Sequence, residues 1–140
     1  MKKDTLRALK NSIKKWERIT NGKGQDDGGY NCSLCQRFKQ TECTYNDEQC
    51  PVTIKTGKVQ CEKSPYIAWQ NHQESVHKIN CHPHRIQSGC KGCVKAAKKE
   101  VDFLKSLLPV VRKKRVLMVR HQKEPFDLVI KFTGEEGDKQ

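Results

Sequence analysis

Apolar positions recur with a helical period at two places in the chain. Leu6, Leu9, Ile13, Trp16 and Ile19 follow one another at spacings of three and four with lysine and arginine between them, which predicts an amphipathic helix. Asp4 or Thr5 is placed to cap its start, and Gly22 after Asn21 suits its end. Val94, Ala97, Val101, Leu104 and Leu108 form a second stripe, with Lys95, Lys98, Lys99 and Lys105 elsewhere and Pro109 at the close. The two stripes are expected to pack on each other.

Between these helices the periodicity breaks up. GKGQDDGG, residues 22–29, is too glycine-rich and polar for regular structure and reads as a flexible connection. Ser64 followed by Pro65 fits an N-cap and a first helical position. A helix is therefore expected from Pro65 to about Lys78, burying Tyr66, Trp69 and Val76 and carrying His72 and His77 towards the metal-binding loops. Residues 80–92 read as a loop. Residues 116–119 and 126–132 are rich in β-branched and aromatic side chains and read as a β-hairpin across RHQKEP, followed by a polar tail.

Composition makes a purely hydrophobic fold unattractive. Only 34% of the 140 residues are apolar while 31% are charged, so the core is thin for the length, and cross-links or metals must share the load. Eight cysteines are available. The opening segment lacks an apolar signal region and no run approaches a membrane span, so a cytoplasmic location is expected. In a reducing compartment metal coordination is a better use of these thiols than disulfides, the alternative being a stapled secreted protein.

Cys32-x-x-Cys35 and Cys90-x-x-Cys93 look like two halves of one closed tetrahedral zinc site, because two intervening residues let both sulfurs turn towards one ion. Four thiolates would leave no open position, so such a site is structural; an iron–sulfur cluster could use the same ligands. Cys43, Cys50 and Cys61 would then make a second zinc site possible, its fourth ligand coming from Cys81 or from His72, His77, His82 or His84. Pairing Cys32 and Cys35 with His72 and His77 in a Cys2His2 finger is disfavoured by the long gap between them. The expected fold is thus a small α+β zinc-stapled domain. It has two amphipathic helices around a cysteine-rich irregular core and a C-terminal β-hairpin, divided as 1–29, 30–109, 110–133 and 134–140.

The runs NCSLCQRF, Cys50-Pro51-Val52, TGKVQC, SPYIAW and EVDFLKSLLP resemble a family of small cysteine-rich proteins from bacteriophages and bacteria, over about residues 5–109. The resemblance implies a phage or prophage origin and a metal-stapled domain in which both thiolate pairs belong together. It implies no activity.

Charge suggests the kind of partner. Residues 1–23 carry eight Lys/Arg against two Asp/Glu and residues 94–140 carry twelve against seven, whereas residues 24–93 are nearly balanced. Basic segments of this kind suit a polyanion, although lysine-rich faces are also common as mere solvated surface. Three functions compete. The leading one is a non-catalytic zinc module binding nucleic acid or a host nucleic-acid-processing complex. Phosphate contacts would come from Lys10, Lys14, Lys15 and Arg18, from Lys95, Lys98 and Lys99, and from Arg112, Lys113, Lys114 and Arg115. The second is an inhibitor or adaptor of a host protein that offers the hairpin as an edge strand. The third is a ββα-metal nuclease around His82-Pro83-His84, from which Asn80, Cys81 and Val94 depart. Neither a membrane nor a small-molecule substrate is implied.

Overall fold

Lys3–Thr20 form an 18-residue helix, α1, in a computed structural model that describes residues 1–39 and 42–110. Its buried side is Thr5, Ala8, Leu9, Ser12, Ile13, Trp16 and Ile19. Of the expected stripe Leu9, Ile13, Trp16 and Ile19 are buried while Leu6 is only half-buried, and Ala8 and two hydroxyls join them, each hydroxyl with a partner. The Thr5 hydroxyl accepts from Arg37 Nε at 2.9 Å and Ser12 Oγ accepts the Leu34 N–H at 3.3 Å. Neither Asp4 nor Thr5 caps the helix. Lys2 stands at the N-cap without a side-chain bond, and Asp4 lies in the first turn, paired with Arg7. Gly22, at φ +71°, closes the other end, where the Gly22 and Lys23 N–H groups donate to Ile19 and Arg18 carbonyls.

Helix α5, Lys91–Ser106, packs along α1 and also against α4, Pro65–His77. On its inner side are Cys93, Ala96, Ala97, Glu100, Val101 and Leu104. Val94 is 38% exposed although it shares a face with the buried Val101, because it lies in the first turn of α5, at the edge of the packed surface. At the surface Lys105 reaches Glu17 of α1 at 2.7 Å. Helix α4 starts as its sequence predicts, Ser64 Oγ accepting the Tyr66 N–H. Trp69 is fully buried, edge-on to Trp16 at 5.5 Å, and Tyr66 also meets Trp16 edge-on at 5.9 Å. Val76 is exposed, contrary to expectation. Gln73 occupies the buried position instead, its amide donating to the Arg85 carbonyl at 3.0 Å.

The middle of the chain is built from short pieces. Helix α2 is Ser33–Phe38 and α3 is Pro51–Thr56, with β1, Thr44–Tyr45, pairing antiparallel to β2, Glu48–Gln49. Asn46 and Asp47 turn that hairpin with positive φ, and Gly57 at φ +70° ends α3. The fold is thus mixed and dominated by helices. The hairpin expected over residues 116–132 lies outside the described residues.

Residues 22–29 are not a flexible connection. Asp26 is fully buried, and its backbone bridges to His84 through bonds of 2.8 and 2.9 Å. A single 3-10 turn, Gly28–Asn31, then leads into α2. No helix among the described residues is long and apolar enough to cross a membrane.

Candidate metal centre

The end of α4 lies against the start of α5, and four donors meet there. His72, His77, Cys90 and Cys93 each offer one ligand atom, all within 4.8 Å of one another, so the group could hold a metal ion. His72 Nε2 is 3.3 Å from Cys90 Sγ, and His77 Nε2 is 3.2 Å from Cys93 Sγ. Cys90 is the N-cap of α5 and its sulfur accepts the Cys93 N–H at 3.4 Å. That backbone bond, with one from Gly92, lowers the Cys90 thiol, while burial raises that of Cys93. Gln73 donates to Cys93 Sγ at 3.5 Å, so the group has an outer support as well.

This grouping corrects the expected one. Cys90 and Cys93 meet two histidines and not Cys32 and Cys35, because α4 lies against the start of α5 and supplies both imidazoles. Sequence carried a signal for it: His72-x4-His77 precedes Cys90-x-x-Cys93 by twelve residues, the finger spacing read in reverse order.

Five other cysteines, Cys32, Cys35, Cys43, Cys50 and Cys61, line one cavity of about 370 Å³. A hydrogen bond from Cys35 lowers Cys32 to about 6, and that same bond together with burial raises Cys35. Burial pushes Cys50 up to about 11 and raises Cys61, with charge on neighbouring thiols acting the same way. Cys81 is exposed and belongs to neither group, so it does not complete the set of Cys43, Cys50 and Cys61.

His82 and His84 gather with Asp26 rather than with the Cys90 and Cys93 thiols. A buried cation already stands there. Lys15 Nζ lies 2.6 Å from Asp26 Oδ1, the side chains being 11% and 0% exposed. The Gly28 N–H donates to the same oxygen at 3.1 Å. Repulsion by the ammonium disfavours a metal ion beside it, and the cluster is an internal ion-paired strut.

The basic residues divide. Lys10, Lys14 and Arg18 on α1 and Lys95, Lys98 and Lys99 on α5 are exposed, and none is ion-paired among the described residues. Lys15, expected to touch a phosphate, is instead turned inward to Asp26. Arg112, Lys113, Lys114 and Arg115 lie outside the described residues. No protein-family model, curated protein or solved structure matches the chain.

Proposed function

We propose that this is a non-catalytic zinc-stapled module that binds nucleic acid, free or in a host processing complex, and that it is phage- or prophage-encoded. Zinc is favoured by the donor spacing. Bonds of about 2.3 Å to sulfur and about 2.0 Å to nitrogen at a tetrahedral angle put the two donors about 3.5 Å apart. The Nε2–Sγ separations of 3.2 and 3.3 Å are close to that value. Two thiolates and two imidazoles fill all four positions, so the ion would be structural and would fix α4 to the start of α5.

The observation that carries the binding reading is the outward display of Lys10, Lys14, Arg18, Lys95, Lys98 and Lys99 on two helices locked together by their buried faces. Unpaired cations on rigid elements contact phosphates and release counterions, which gives affinity with little base preference. The phage origin rests on the resemblance of the short sequence runs.

The test is fluorescence anisotropy with duplex DNA and with structured RNA across a salt series. Six phosphate contacts would give a log–log slope of about −5, and replacing Lys10, Lys14 and Arg18 by Gln would remove about half of it. Absence of salt-dependent binding to either, with a host protein retained after nuclease treatment, would overturn this reading in favour of an adaptor.

A further inference from the structure

We propose that Cys32, Cys35, Cys50 and Cys61 bind a second, mononuclear zinc-type ion in the cavity they line, with a ligand set independent of the histidine-containing centre. The first support is their shared cavity. The four thiols come from α2, from the start of α3 and from the turn after it, and they line one cavity of about 370 Å³, less tightly gathered than the donors of the first centre, so that the ion would draw them in. Such an all-sulfur set selects a thiophilic ion over magnesium or calcium.

The second support is the local backbone. Cys32 and Cys50 stand where Cys90 stands in the first centre, each at the residue that opens a helix, although of the three only Cys90 makes a side-chain cap bond. Cys61 reaches the cavity from a left-handed backbone, φ +59°, directly after Gln60 at φ +54°. Two consecutive non-glycine residues in that region persist only where the surroundings hold them. Cys43 lines the same cavity, its sulfur accepting the Gln60 N–H at 3.2 Å.

The third support is the poverty of the segment that the ion would tie together. Two six-residue helices and a hairpin of two-residue strands are too short to be stable alone. Apart from cysteines, only Leu34, Phe38, Pro51 and Val52 are buried apolar side chains among the described residues of 32–61. A metal bridging α2 to α3 and to Cys61 supplies the missing cross-link.

The experiment uses the full reduced chain loaded with zinc. Native mass spectrometry should find two zinc ions, and alkylation followed by peptide mapping should find Cys81 modified at once. Cys32, Cys35, Cys50 and Cys61 should be protected until a strong chelator is added. Thiols that were merely buried would not respond to the chelator. Cys32→Ser with Cys50→Ser should lose one equivalent and keep the other, whereas His77→Ala with Cys93→Ala should lose only the first-centre ion, so the two centres fail or stand separately. The proposal is overturned by a single zinc that survives the Cys32/Cys50 substitutions, by chelator-insensitive protection, or by iron and labile sulfide in place of zinc. If the double variants do not fold, alkylation of the unmodified chain still decides.

Discussion

Lys15 and Asp26 form a buried ion pair, Nζ to Oδ1 2.6 Å, that binds α1 to the chain following it. The Asp26 backbone in turn holds the loop at His84 through two bonds, so one residue links three segments. Removing either partner leaves the other charge stranded. Asp26→Asn or Lys15→Met should each cost about 3–5 kcal/mol in urea unfolding, and the double variant should cost less than their sum. Single losses near zero would show that water reaches the pair.

Glycine 92 makes room for a ligand. A Cβ at this position would lie 2.8 Å from His72 Nε2, closer than real contacts allow. Gly→Ala inside a helix ordinarily stabilises by up to about 1 kcal/mol. Here Gly92→Ala should instead destabilise and weaken zinc affinity by about 10-fold or more, measured by chelator competition, because His72 must swing away.

Burial pushes the Glu100 carboxyl up to about 8, and charge on Cys32 pushes the same way. The side chain is 3% exposed and its Oε2 has no hydrogen-bond partner among the described residues. Below its ordinary value of 4.5 the group is protonated in both folded and unfolded chains and makes no difference. As pH rises towards 8 the unfolded chain releases a proton that the folded chain keeps, and stability falls. Glu100→Gln cannot ionise. Denaturation of both chains should show a small gap near pH 4 that widens to on the order of 3 kcal/mol in favour of the variant near pH 8. A gap constant with pH would mean that Glu100 is ionised and compensated.

Trp69 is fully buried, yet its Nε1 lacks a hydrogen-bond partner among the described residues. Trp69→Phe removes that unpaired donor along with some packing, and the two effects oppose each other. It should cost less than about 1.5 kcal/mol, against about 3–5 kcal/mol for Trp69→Ala, by thermal or urea unfolding. Equal losses would mean that a partner for the indole N–H exists in solution.

Much of the helical framework was legible in the chain. The stripes of α1 and α5, and the Ser64-Pro65 start of α4, depend on neighbours within a turn, which a sequence displays directly. The short α2 and α3 and their hairpin were not visible. Elements of two to six residues carry too little periodicity, and it is their surroundings that hold them. Asp26 was equally hidden, because in GKGQDDGG a buried anion and a solvated one look alike until Lys15 arrives beside it.

By itself the sequence determined that thiols would gather, that two amphipathic helices would pack, and that lysines would fill their outer faces. Only the tertiary structure decided which donors meet. Cys-x-x-Cys fixes two sulfurs locally, but its partners depend on α4 lying against the start of α5, a contact made across a dozen intervening residues. Likewise Lys14 and Lys15 are adjacent in the chain yet a hundred degrees apart round the helix, and burial rather than residue type made one a surface charge and the other half of an internal ion pair.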